Sequence, residues 1–365
     1  MAPVLAELAE SKAFKSQLCV TAQHREMLDE AMGIFDIVPD FDLDIMSHDQ
    51  SLTDVFSLIV KRLAPFLRQE CPDLVLVHGD TVTTAAACIA SYLSGTPVGH
   101  IEAGLRTGDL YDPWPEEGNR KLVASIAKYH FAPTEKSANN LLLEGIPSEK
   151  IVISGNSVID ALKGVSKKID ENQDLQKRIR SELSFLDFEK PIVLITGHRR
   201  ESYGERLDSI CRALARVAAT FPESQIVYPI HPNPNIKKSV NLWLKGGKNI
   251  HVIKPLEYFS FVYLMKKSTV ILTDSGGIQE EAPTLGVPVL ILRDSTERPE
   301  ASTLGLTRLI GTDEDVITRE LTEILNHPAV KKTRINVHNP FGEGNAAKTI
   351  REFLERELCE KNNRS

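Results

Sequence analysis

TDSGGIQEEAPTLGVPVLIL, residues 273–292, is the stretch from which the fold is read. It follows the apolar run Val270-Ile271-Leu272, which has the density of a strand in a buried parallel sheet. The strand stops at Thr273-Asp274-Ser275-Gly276-Gly277, where two glycines let backbone N–H groups approach a ligand. Ser275 is a candidate N-cap for the helix that follows. A junction of this kind attracts phosphate, because free amides and the positive end of the helix dipole both point at it. Glu280 and Glu281 follow within two turns, close enough for one carboxylate to reach the sugar hydroxyls of a nucleotide. Pro283 is too deep for a first-turn proline and predicts a short or kinked helix, ended at Gly286 before Val289-Leu290-Ile291-Leu292. A lone SGG is also what an ordinary strand-to-helix turn looks like. The rest of the chain argues against that plainer reading, because it too places polar and charged residues at the ends of apolar runs.

At 365 residues the chain predicts two domains. Its 42% hydrophobic and 25% charged residues are globular values, and a net charge of −7 gives no general attraction for nucleic acid or acidic membrane. The five cysteines (19, 71, 88, 211 and 359) are scattered and form no CxxC pair, which predicts reduced thiols and no zinc site. No apolar run reaches membrane-spanning length and no signal-peptide pattern opens the chain, so a soluble cytoplasmic protein is expected.

Read in order, the chain alternates strand and helix. A helix over residues 1–13 leads to the short strand Leu18-Cys19-Val20, a second helix over 26–32 and an extended piece over 36–45. An amphipathic helix over 52–67 precedes the strand Leu74-Val75-Leu76-Val77, which ends in His78-Gly79-Asp80. A small-residue helix over 81–93 precedes Val98-Gly99-His100-Ile101, which ends in Glu102-Ala103-Gly104-Leu105-Arg106. The loop TGDLYDPWPEEGNRK, 107–121, then feeds another helix. Residues 160–190 carry no strand signal and hold the interdomain connection, after which Ile192-Val193-Leu194-Ile195 opens a second series ending near Thr307-Arg308-Leu309-Ile310. This alternation predicts an α/β protein with doubly wound parallel sheets, whose ligands bind at the carboxyl ends of the strands.

Four junctions carry candidate chemistry. Asp80 and Glu102 sit at strand ends, Glu116 and Glu117 follow a proline in the loop after Arg106, and His198-Arg199-Arg200-Glu201 follows the strand at 192–195. Each has a plainer explanation. Asp80 before threonines reads as a helix N-cap, Pro115-Glu116-Glu117 as a helix start meeting its dipole, and His198-Arg199-Arg200 as a solvated basic turn.

Taken together, HGDTVTT, GHIEAGLRTGDLYDPWPEEGNR, TGHRRESYG, PIHPNPN and TDSGGIQEEAPTLGVP, in this order, closely resemble the non-hydrolysing UDP-N-acetylglucosamine 2-epimerases of bacteria. The resemblance implies a GT-B fold of two Rossmann-like domains with a cleft between them. The first domain would span 1–165 plus 347–365 and the second, UDP-binding domain 166–346. It implies reversible conversion of UDP-GlcNAc to UDP-ManNAc without NAD or metal, in a homodimer. The sugar C2–H is not beside a carbonyl, so the family route expels UDP from C1 as the C2 proton leaves. A bound glycal then takes UDP back on the other face. By resemblance Asp80, Glu102 and Glu116 are acid/base candidates and His198 lies beside the diphosphate. Arg106, Arg199, Ser275, Gly276 and Gly277 would hold substrate and phosphate, and Glu281 the ribose hydroxyls. Gln23, His24, Arg199 and His231 match positions associated in some relatives with a second, activating UDP-GlcNAc, whereas Glu26 departs from a Gln that regulated relatives carry. The chain also opens inside its first helix, where the family has a preceding strand and a GTRPEAIK-type loop. A first sheet lacking that inner strand is therefore expected, with less stability and weaker activity. Rival readings are a hydrolysing epimerase, a GT-B glycosyltransferase, or a non-catalytic UDP-sugar binding protein.

Overall fold

The computed structural model describes residues 1–23, 25–47, 50–197, 204–230, 233–327 and 339–359. The chain divides into two compact units, Met1–Ala161 with Phe341–Ser365, and Leu162–Pro340. Strands β1 (Cys19–Val20), β2 (Phe41–Asp42), β3 (Val75–His78), β4 (Val98–Ile101), β5 (Tyr129–Ala132) and β6 (Ile151–Ile153) belong to the first unit. Strands β7 (Ile192–Ile195), β8 (Gln225–Pro229), β9 (Ile250–Ile253), β10 (Val270–Thr273), β11 (Val289–Ile291) and β12 (Thr307–Leu309) belong to the second. The fold is α/β, of the GT-B type: two Rossmann-like units built on parallel sheets.

In the second unit the six strands run in the order β12-β11-β10-β7-β8-β9, all pairs parallel. The chain leaves β7 toward one edge and returns as β10 on its other side, so the sheet reverses direction between these two strands. Both are buried along their whole length, which is why the sequence shows them as unbroken apolar runs. Val193, Ile195, Ile226, Val270 and Leu272 pack against the helices Glu205–Thr220 and Glu314–Asn326 in one core. The turn after β10 thus lies at the switch point, where doubly wound sheets bind ligands.

The first unit holds a four-stranded parallel sheet, β3-β4-β5-β6, and a separate parallel pair, β1-β2. Among the described residues no strand joins the two. One face of the larger sheet packs against the helices Ala2–Glu10 and Ala346–Leu354, with Phe353 edge-on to Tyr129 and Phe131 at 5.3 and 5.6 Å. On the other face, Val77 and Val98 meet Ala85 and Cys88 of the helix Val82–Leu93 and Val123 of the helix Glu116–Ile126. The helix Leu52–Glu70 shows the local logic. Ser51 and Asp54 form a reciprocal capping box, and Val55, Ile59, Leu63 and Leu67 recur every fourth residue on the buried stripe. Burying each such side chain stabilises the fold by about 1.5–3 kcal/mol. Among the described residues no helix is long and apolar enough to cross a membrane.

Candidate active site

In the first unit the candidate carboxylates gather at the ends of β3 and β4. After His78 the chain turns at Gly79, whose φ of +71° is the left-handed region that favours glycine. The Gly79 N–H donates to the Ile101 carbonyl at 2.9 Å, and the His100 Nε2–H donates to the Gly79 carbonyl at 2.7 Å. A Cβ placed on Gly79 would lie 3.1 Å from Oε2 of Glu102, so the missing side chain is where the Glu102 carboxylate comes closest. Glu102 itself has φ +64°, a left-handed conformation in a residue with a long side chain, and such strain costs about 1–3 kcal/mol. Its Oε1 accepts a hydrogen bond from Asn156 Nδ2 at 3.0 Å. His100 and His130 nearby are shut from water and His78 is half-buried, and burial pushes the pKa values of His78, His100 and His130 down to about 3, 3 and 4. They are neutral and structural rather than acid/base groups at pH 7.

Asp80 is not a helix cap. Thr81 takes that position and accepts the hydrogen bond from the Thr84 amide, which leaves the Asp80 carboxylate for another partner. That partner is Arg120, whose Nε and Nη2 both meet Asp80 Oδ2, at 2.9 and 2.7 Å. The neighbouring Asn119 donates to the Asp80 carbonyl at 2.8 Å. The other side of the Arg120 guanidinium pairs with Glu117 at 3.1 Å, and the two carboxylate oxygens of Glu117 accept from the Thr107 and Gly108 amides, each at 3.2 Å. Burial works against the Arg120 charge, but the Asp80 and Glu117 carboxylates outweigh it and the guanidinium pKa rises above its ordinary value. Glu117 does stand in the first turn of the helix Glu116–Ile126, as the plainer reading has it, and is besides a buried anchor for the 107–108 backbone. Glu116, the first residue of the helix Glu116–Ile126, has Oε2 buried without a hydrogen bond among the described residues. Arg106 is engaged elsewhere, forking onto Glu144 at 2.8 and 2.6 Å and holding that carboxyl below its usual range.

In the second unit Ser275 occupies the N-cap position of the helix Gly276–Thr284 but makes no side-chain cap. The Thr273 hydroxyl accepts from the Ser275 amide instead, at 3.0 Å, and Thr196 at the end of β7 donates to that same hydroxyl at 2.6 Å. The helix is short, as Pro283 predicts, and Gly286 follows it with φ +72°. Glu280 and Glu281 take different partners. Glu280 is buried against Arg298, which also pairs with Glu297 at 2.5 Å, and Glu297 in turn meets Arg293 at 2.8 Å. Burial alone would raise the Glu297 carboxyl, but Arg298 and Arg293 overcome it and bring it to about 2. The guanidinium lies against the turn: a Cβ on Gly276 would fall 2.5 Å from Arg298 Nη1. Glu281 is held by the Tyr258 hydroxyl at 2.7 Å, and burial raises its pKa to about 7 against the smaller lowering from that hydrogen bond.

The structure thus places Asp80 and Glu102 after the neighbouring strands β3 and β4 of the first unit, Glu116 at the start of the helix whose Asn119 and Arg120 hold Asp80, and Ser275, Gly276, Gly277 and Glu281 in one turn and helix of the second. Gln23 lies in the first unit, accepting from Thr83 at 3.1 Å. His24, His198, Arg199 and His231 fall outside the described residues. Sequence reasoning assigned nothing to Arg120, His100, Tyr258 or Arg298. The one available signal was that Arg120 stands one helical turn after Glu116 and Glu117.

Carboxylates at the strand ends of one parallel sheet, and a glycine turn at the switch point of another, are features of an α/β protein of the GT-B type. The sequence profile described as UDP-N-acetylglucosamine 2-epimerase matches residues 6–355. The UDP-N-acetylglucosamine 2-epimerase of Escherichia coli O157:H7 is 50% identical over 364 residues, covering 100% of this chain and 95% of that protein. The crystal structure of UDP-GlcNAc 2-epimerase from Neisseria meningitidis bound to UDP-GlcNAc superposes with a TM-score of 0.92 at 47% identity, over 98% of this chain and 96% of that one. The Methanocaldococcus jannaschii UDP-GlcNAc 2-epimerase in complex with UDP-GlcNAc and UDP has a TM-score of 0.82 at 33% identity, over 97% and 95%. The chain belongs to the UDP-N-acetylglucosamine 2-epimerase family.

Proposed function

We propose that this enzyme interconverts UDP-GlcNAc and UDP-ManNAc, supplying the latter for surface polysaccharide. The C2 proton leaves to an enzyme carboxylate as the C1–O bond to UDP breaks, giving a glycal. UDP then adds back at C1 while a proton returns to C2 on the opposite face. The observation that supports this most is that Asp80 and Glu102 follow two neighbouring parallel strands, with the Glu102 carboxylate 3.1 Å from where a Gly79 Cβ would lie, next to Asp80 in the chain. His198 and the Ser275-Gly276-Gly277 turn would hold the departing diphosphate, and Arg199 and Arg106 are further candidates for substrate contact. No redox cofactor or metal enters this scheme. We also infer a cytoplasmic homodimer, from the scattered cysteines for the compartment and from the family resemblance for the assembly. Incubating the chain with UDP-GlcNAc in D2O tests the reaction. The expected product is UDP-ManNAc with deuterium at C2. Free ManNAc would instead mean a hydrolysing enzyme, a glycosylated acceptor would mean a transferase, and no conversion would mean a binding protein.

Nucleotide recognition gives a pH test. Ribose hydroxyls donate best to an ionised carboxylate, and burial keeps Glu281 protonated up to about pH 7. UDP affinity, measured by calorimetry, should therefore strengthen as pH rises through about 7. Glu281→Ala should weaken binding and Glu281→Gln should flatten the pH dependence. The effect on stability has the opposite sign. A carboxyl raised from 4.5 to about 7 destabilises the fold progressively over that window as pH rises, so Glu281→Gln should melt higher than the parent at pH 8. Unchanged UDP affinity in Glu281→Ala would remove the ribose role.

A further inference from the structure

We infer that Arg120 is a positioning residue for the epimerase reaction: it grips one oxygen of Asp80 so that the other is presented to the sugar. The inference rests on the epimerase reading and on four features of the geometry. First, two guanidinium nitrogens converge on the same atom, Asp80 Oδ2, at 2.9 and 2.7 Å, while Oδ1 receives no hydrogen bond from any described residue. A carboxylate shared evenly with an arginine would use both oxygens in a fork, so this end-on grip singles one oxygen out. Second, the side chain of Arg120 is 5% exposed and that of Asp80 25% exposed, so the cation is buried while the carboxylate it grips still reaches solvent. Third, Arg120 is itself fixed. Glu117, fully buried, takes the far side of the guanidinium at 3.1 Å and is in turn locked by the Thr107 and Gly108 amides. Fourth, Asn119 holds the backbone carbonyl of Asp80 at 2.8 Å, so main chain and side chain are both tied to the helix Glu116–Ile126.

That helix also begins with Glu116, so a single rigid element orients one acid/base candidate through Arg120 and carries another directly. The charged and titratable groups around Asp80 are His78, His100, Glu102, Glu116, Glu117 and Arg120. The three carboxylates other than Asp80 are held by their own contacts or helix position, and both histidines are neutral. Arg120 is thus the only cation that the described residues place on Asp80.

A single Arg120→Met would strand the buried Glu117 carboxylate, so a loss of activity in it would not separate misfolding from positioning. The test is therefore the double variant Glu117→Gln/Arg120→Met, which removes the buried charge pair together and keeps an amide oxygen for the loop amides. Arg120→Lys is made beside it. With UDP-GlcNAc as substrate, kcat of the double variant is expected to fall by about 100-fold, the scale of a misplaced reacting group. KM and UDP affinity by calorimetry should stay close to those of the parent, and the melting temperature should fall only by the one loop-amide bond that glutamine cannot accept. Guanidinium ion added at millimolar concentration should recover part of kcat in the double variant and none in the parent, a response that a purely structural role would not give. Arg120→Lys, with a point charge in place of a planar fork, should retain intermediate turnover. Parent-like kcat in the double variant, or a loss expressed wholly in KM or UDP affinity, would overturn the role of Arg120 while leaving the epimerase reading intact. A parent chain that forms no UDP-ManNAc would overturn both.

Discussion

Asp80→Asn, Glu102→Gln and Glu116→Gln should each lower turnover of UDP-GlcNAc by about 10²–10⁴-fold, the range for loss of a general acid or base, while UDP still binds. Each substitution keeps the shape of its site. Asparagine can still offer its oxygen to Arg120 at the position now taken by Asp80 Oδ2. Glutamine at 102 can still accept from Asn156 and retains the left-handed backbone that the flanking β4 strand imposes. What is removed is the capacity to hold and release a proton. Because the loss is confined to chemistry, kcat and kcat/KM should fall together. The measurement is product formation by chromatography, with UDP calorimetry as the control for folding. Near-parental turnover in all three variants would show that the proton is handled elsewhere.

The largest effect on stability is expected at Arg298. Its side chain is buried, it pairs with Glu280 and Glu297, and neither carboxylate is more than 8% exposed. Arg298→Met removes a guanidinium that both glutamates use, and breaking a buried pair from one side costs about 3–5 kcal/mol. The double variant Arg298→Met/Glu280→Gln should recover much of that loss, since it withdraws the carboxylate as well as the cation. The direction with pH is fixed by Glu297. Its folded pKa of about 2 lies below the ordinary 4.5, so its contribution is complete above about pH 4.5 and is lost as the pH falls toward 2. Parent and Arg298→Met should therefore differ most near neutrality and converge in acid. Equal urea midpoints for the two proteins at pH 7 would show that the cluster is held together by other means.

The elements that could be read from the sequence were those whose signal is local. The apolar runs at 192–195 and 270–272 are buried on both faces, so their composition alone marks them as inner strands. The strand ends at Asp80, Glu102 and Ser275 followed from where the runs at 74–77, 98–101 and 270–272 stop. What could not be read were partnerships between residues distant in sequence. Tyr258 and Glu281 are 23 positions apart, and Arg120 and Asp80 are 40 apart. Nothing in the spacing of either pair distinguishes them from two unrelated surface residues. The cap read at Asp80 stands instead at Thr81, because both residue types cap helices and only the backbone decides which one stands at the helix boundary. The left-handed backbone of Glu102 has no sequence signature, since glycine is the residue that such a position normally announces.

The turn at Gly79 has a mechanical meaning as well. Gly79 is pinned at its N–H by Ile101 and at its carbonyl by His100, with Asp80 following directly and the Glu102 carboxylate resting over the vacant Cβ position. Both anchors come from the strand that carries Glu102, so the two acids share one mount. A displacement of the β4 end is therefore felt by the backbone of both turns. For a reaction that must work from either face of a sugar and in either direction, such a mount works as a gauge block: the ligand can shift or turn against it while the two backbone turns that carry the carboxylates stay in register.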